Sequence, residues 1–92
     1  MTATQTDVIE DSAIDTARPW NVVLYNDEWH AFDEVVLQVQ KATGKKESEA
    51  HAITLEAHEK GKAIVFTGQQ SDCQRVAGIL RQIRLQVEVD EG

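Results

Sequence analysis

Residues 22–32 read VVLYNDEWHAF. An apolar run suited to a buried strand, Val22–Tyr25, breaks at once into Asn26, Asp27 and Glu28. Two large aromatics, Trp29 and Phe32, follow with His30 between them. The junction therefore gathers two carboxylates, an amide and an imidazole where the first strand ends. Upstream, Pro19 favours an extended approach, and WNVVLY is rich in β-branched and aromatic residues, which predicts a strand. Downstream, Phe32, Val35, Val36 and Val39 recur at i, i+3, i+4, i+7, one apolar stripe on a helix over 33–43. Gly44 stops it.

The rest of the chain extends this pattern. ESEAHAITLEAHEK predicts a second helix over 47–60, with Ala50, Ile53, Leu55 and Ala57 as its apolar positions. Glu47 and Glu49 suit its first turn, and Gly61 its C′ position. KAIVFT is a second strand and Gly68 a turn. Ser71 or a neighbour caps a third helix whose stripe is Cys73, Val76, Ala77, Leu80 and Ile83. In LQVEV, Leu85, Val87 and Val89 alternate with Gln86 and Glu88, a half-buried strand. The order β-α-α-β-α-β predicts the α+β class: a compact sandwich in which helices pack a three-stranded antiparallel sheet. Residues 1–17 hold too little apolar surface to offset ordering and are expected to form a flexible acidic arm ahead of one domain over 18–92.

Composition narrows the functions. A chain of 92 residues is one domain with a single modest core. A net charge of −7 argues against a nucleic-acid binder, which would show a basic stripe. Cys73 is the single cysteine, so no internal disulfide forms. No apolar run approaches the ~18–20 residues that span a membrane, and the N-terminus has neither the basic nor the apolar region of a signal peptide. A soluble cytoplasmic protein is expected.

Catalytic chemistry finds little support. His30, His51 and His58 with Asp27 invite a metal, but His51 and His58 are seven residues apart on one helix, roughly 10.5 Å, where two ligands to one ion prefer i, i+3 or i, i+4. Cys73 falls on an apolar helix stripe and reads as a core residue. Asp27 and Glu28 are adjacent acids at a strand end, and no glycine-rich phosphate loop is present. No enzyme, cofactor or metal site is expected.

Binding fits better. Thr54, Ala57 and His58 share a helix face, and two of them are small. Small residues beside the exit of the first strand leave a dent. With Phe32, Val35 and Leu85 as walls it is an apolar pocket rimmed by Asn26, Asp27 and His58, all acceptors. A cation with several N–H donors on an apolar side chain matches that rim, and the free N-terminus of a polypeptide is such a cation. Asn26 and Asp27 as plain turn caps, and His58 as a last-turn histidine favoured by the helix dipole, stand as simpler alternatives.

PWNVVLYNDEWHAFDEVV, then EAHEKGKAIV, then a third amphipathic helix leading to RLQVEV, closely resemble the ClpS family, adaptors that recognise N-degrons and hand them to a Clp-type AAA+ protease. The resemblance covers about residues 18–89. It implies a pocket for a bulky first residue, Phe, Tyr, Trp or Leu. In it Asn26 and His58 would hold the α-ammonium, and Asp27 the ammonium or first peptide N–H. Phe32 would be the gate, and Val35, Thr54, Ala57 and Leu85 the walls, with Glu28 and His30 as further rim. The implied partners are N-degron proteins and the N-terminal domain of a Clp-type AAA+ unfoldase, with the acidic arm engaged during delivery. Two rivals stay open: a small interaction module of the same fold without a terminus pocket, and a His/Asp metal enzyme.

Overall fold

The computed structural model describes residues 18–92, so the expected arm over 1–17 lies outside the described residues. Three strands and three helices follow in the predicted order: β1 Trp20–Tyr25, α1 Phe32–Thr43, α2 Glu47–Lys60, β2 Lys62–Gly68, α3 Gln70–Arg81 and β3 Val87–Glu91. The sheet order is β2-β1-β3, antiparallel on both sides of β1.

Alternation along β1 decides which side the helices cover. Val22 and Leu24 are buried in the core, whereas Asn21 and Tyr25 are half-exposed. On the open side, the Thr67 hydroxyl donates to Asn21 Oδ1 at 2.8 Å and the Tyr25 hydroxyl to Glu88 Oε1 at 2.8 Å. On the covered side, Val22 pairs with Phe66 of β2 and Val89 of β3. A bulge between Val22 and Val23 inserts Val65 into β2, so Val65 and Phe66 both pack against the core.

α1 buries Val35, Val36, Gln38, Val39 and Ala42. The buried Gln38 amide is not orphaned, since Nε2 donates to the Ile79 carbonyl at 2.7 Å and ties α1 to α3. Gly44 ends α1 at φ 74°, the left-handed region where an L side chain is strained.

Four expectations change in detail. On α2 the inward face is Ala50, Ile53, Thr54 and Ala57, spaced i, i+3, i+4, i+7, and Leu55 lies off it at 37% exposure. α3 begins after Gln69 with no side-chain cap, so Ser71 does not serve as one. The last strand starts at Val87 rather than Leu85 because α3 ends in a Schellman turn. Leu85 N–H donates to the Leu80 carbonyl at 3.4 Å and Arg84 N–H to Arg81 at 2.9 Å, with Arg84 at φ 66°. That turn points Leu85 into the core instead of into the sheet ladder. Ile83 likewise falls beyond the helix and is half-buried against the core.

Candidate functional site

At the exit of β1 the backbone is shared between two neighbours. Tyr25 N–H donates to the Gln86 carbonyl at 3.0 Å, and Asn26 N–H to the Gly61 carbonyl at 2.9 Å. Gly61 stands at φ 93° and its own N–H closes α2 on the Ala57 carbonyl at 2.9 Å. One glycine thus ends the helix and pins Asn26 beside the last turn that carries Ala57 and His58.

The next residue folds the chain back. Asp27 Oδ1 accepts the backbone N–H groups of Trp29 and His30, both at 3.0 Å, an Asx turn. Asp27 Oδ2 meets His30 Nδ1 at 2.8 Å, and His30 Nε2 reaches the Ile83 carbonyl. Both side chains are largely covered, 14% exposed for Asp27 and 13% for His30. Burial pushes the Asp27 carboxyl up, but the hydrogen bonds from His30 and Trp29 outweigh it and hold the group below the usual carboxylate value. The Asp27 hydrogen bond, seconded by the Ile83 carbonyl, raises the His30 imidazole above its ordinary value. The Asp27 carboxyl thus gives up its proton more readily than usual, and the His30 imidazole holds its proton more strongly.

These residues face a cavity of about 270 Å³, just below the ~300–1,000 Å³ of small-molecule pockets. Asn26, Asp27, Glu28, His30 and His58 form its polar side; Phe32, Val35, Thr54, Ala57 and Leu85 its remaining walls. Every site residue expected from the sequence thus borders one hollow. Leu24 and Tyr25 border it too. Sequence placed these two simply in the strand; the signal that was available is their position at its end, against the junction.

The small residues of α2 make the hollow. Ala57 is 3% exposed and Thr54 5%, so both are interior positions with little side chain. The Thr54 hydroxyl donates back to the Ala50 carbonyl at 2.8 Å, which leaves it satisfied within its own helix. Phe32, the first residue of α1, reaches α2, its ring edge-on to His51 at 4.9 Å and to His58 at 6.5 Å between centroids. The His51 contact follows from no sequence spacing, by which the histidine is only a poorly placed metal ligand.

The polar side is not uniform. His30 borders the cavity, yet both its ring nitrogens are turned to Asp27 and Ile83. No side-chain hydrogen bond among the described residues involves Asn26 or His58. Trp29 does not pack over the loop: it stands 88% exposed, its backbone held by Asp27. Among the described residues no three His, Cys, Asp or Glu side chains gather as metal ligands would. No helix of the described residues is long and apolar enough to cross a membrane.

This arrangement of strands and helices is shared with solved structures. The structure of Agrobacterium tumefaciens ClpS2 bound to L-phenylalaninamide matches with a TM-score of 0.76, covering 82% of this chain and 98% of that one. At 16% sequence identity that likeness speaks for the fold. The ATP-dependent Clp protease adapter protein ClpS of Helicobacter hepaticus (strain ATCC 51449 / 3B1) is 35% identical over 54 residues. Those residues are 59% of this chain and 54% of the relative, so the match spans about half of the relative's length. Residues 15–88 match the family model described as ATP-dependent Clp protease adaptor protein ClpS. The chain belongs to the ClpS family.

Proposed function

We propose that this protein is a non-enzymatic cytoplasmic adaptor that binds the free N-terminus of proteins beginning with Phe, Tyr, Trp or Leu. It then delivers them to a Clp-type AAA+ unfoldase through that partner's N-terminal domain. One observation carries the proposal: a hollow of about 270 Å³ with apolar walls and an acceptor-rich rim. The first side chain enters between Val35, Thr54, Ala57 and Leu85, beneath Phe32. Asn26 Oδ1 and a His58 ring nitrogen accept from the α-ammonium, and Asp27 accepts from the ammonium or the first peptide N–H. The L-phenylalaninamide bound to the structural relative has this chemistry, an ammonium beside an aromatic side chain.

The magnitudes are compatible with a releasable grip. Burying a Phe-sized side chain contributes roughly 1.5–3 kcal/mol, and each charge-assisted hydrogen bond about 1.5–3 kcal/mol. Two or three such bonds, less the cost of association and of ordering a peptide end, give an affinity of micromolar order. Acetylation removes the charge and two donors, leaving the Asp27 and Asn26 acceptors covered without partners, so a blocked terminus is rejected.

The deciding titration uses three fluorescent peptides that begin with Phe, Gly and acetyl-Phe. The adaptor binds the first alone. Equal binding of all three, or of none, overturns the proposal in favour of an interaction module without a terminus pocket, and sensitivity to chelator favours a metal enzyme. Deleting residues 1–17 is expected to spare peptide binding and abolish delivery; lost binding would make the arm part of the site.

A further inference from the structure

Asp27 is not a free-standing acceptor. A carboxylate offers about four lone-pair positions. Oδ1 spends two on the N–H groups of Trp29 and His30, at 3.0 Å each, and Oδ2 spends one on His30 Nδ1 at 2.8 Å. A single position remains, on Oδ2. His30 is held at its other end by the Ile83 carbonyl. Ile83 precedes Arg84, which stands at φ 66°, and Leu85, a wall of the cavity. The imidazole therefore spans from rim to wall. Both groups it meets, a carboxylate and a carbonyl, require an N–H, and only the imidazolium carries two.

We infer that His30 is a positioning residue of the N-terminus pocket: as a doubly donating imidazolium it aims the one open acceptor of Asp27 and ties it to the turn that carries Leu85. This rests on the function proposed above and adds to it a residue that grips no ligand itself.

The surroundings favour the cation. Asp27 and Glu34 are the carboxylates acting on the ring, and both raise its affinity for a proton. The α3–β3 turn offers the Ile83 carbonyl, with the Arg84 side chain exposed, and α2 brings His58 to the same cavity. The folded-state pKa lies above the ordinary value, so the strut is complete on the acid side and breaks as pH rises through that pKa. A neutral ring keeps one N–H and must abandon either Asp27 or Ile83. The peptide's α-ammonium loses its proton near pH ~7.7–8.0 in the same direction. The ratio of variant to wild-type affinity cancels that contribution.

The test measures anisotropy of a Phe-initiated fluorescent peptide with the full chain and its His30→Ala and His30→Gln variants. The titrations run from about pH 5.5 to about pH 9, spanning the ordinary values of an imidazole and an α-ammonium. At the acid end His30→Ala binds about three- to tenfold more weakly, the net worth of one lost hydrogen bond, and His30→Gln, which keeps one N–H, recovers part of it. At the alkaline end the ratios move toward one. A ratio that is flat with pH, or equal to one throughout, overturns the inference. In the free protein, nitrogen NMR is expected to show a larger doubly protonated fraction of the ring near pH ~6.5 than an ordinary imidazole has, and Asp27→Asn to return His30 to ordinary titration. A single neutral tautomer there overturns the strut, even if a variant fails to fold. Wild type that ignores the peptide at every pH sinks the adaptor function and the positioning role with it, while the ring spectra still decide the strut.

Discussion

Helices α2 and α3 both pack on β1 and β2, with α3 reaching β3 as well, and end in opposite results. α3 presses Cys73, Val76, Ala77 and Leu80 inward, all 0% exposed, and its neighbours close around them. α2 presents Thr54 and Ala57 at the hollow, also interior but too short to reach across to Phe32 and Leu85. Close packing is the rule for interiors, and a void forfeits contact energy. The difference teaches that the cavity is set by residue size on one helix face. Neither the strand order nor the register requires it.

The largest way to break the contrast is on the filled side. Leu80→Ala should destabilise the fold by about 2–5 kcal/mol in urea denaturation, with the remaining folded protein binding peptide as before. Filling the empty side should do the reverse. Ala57→Leu puts the larger side chain on the cavity wall and is expected to cost no more than about 1–3 kcal/mol. Its affinity for a Trp-initiated peptide should fall about tenfold, against a smaller loss for a Leu-initiated one. Equal losses would remove Ala57 from the wall. His58→Ala, at the exposed end of the same helix, should weaken a Phe-initiated peptide about three- to tenfold with the denaturation midpoint unmoved. Gly61→Ala tests the backbone that joins α2 to Asn26. At φ 93° it should cost about 1 kcal/mol.

The smallest effect is on pH dependence, which the rim carries from the acid range to neutrality, whereas α3 adds only the buried Cys73 thiol, pushed up by burial. Asp27 is held below its ordinary value near 3.8, so its contribution is full above that value and lost as pH falls through the lower folded one. His30 is held above its ordinary value near 6.5, so its contribution is full below that and lost as pH rises through the higher folded one. Both act together between about 3.8 and 6.5. Denaturation midpoints of Asp27→Asn should lose both shoulders; a profile matching wild type would show the pair to be energetically idle.

Much of this was legible in the chain because periodicity reports burial directly. Val35, Val36 and Val39 fix the inner face of α1, and Val22 and Leu24 that of β1, whatever else surrounds them. The site residues were legible as neighbours because the strand exit and the end of α2 are each a short local sequence, and Gly61 brings the two together. What escaped was non-local or lacked its usual marker. The left-handed turn residue after α3 is Arg84, where glycine would have advertised the position, so Leu85 was assigned to the strand. Leu55 is apolar but off the inward stripe, and composition alone could not demote it. The engagement of His30 with Ile83 crosses 53 residues of sequence and follows from no spacing rule.

The cavity draws its lining from stretches remote along the chain: the exit of β1 at Asn26, the last turns of α2 at Ala57, and Leu85 beyond α3. None of them forms the hollow alone, so an unfolded or half-folded copy has no cavity to fill. By mass action the converse also holds: a ligand present at 100 times its dissociation constant should stabilise the native form by about 2.7 kcal/mol. Occupancy of the hollow would register as resistance to heat, the filled protein being harder to unravel than the empty one.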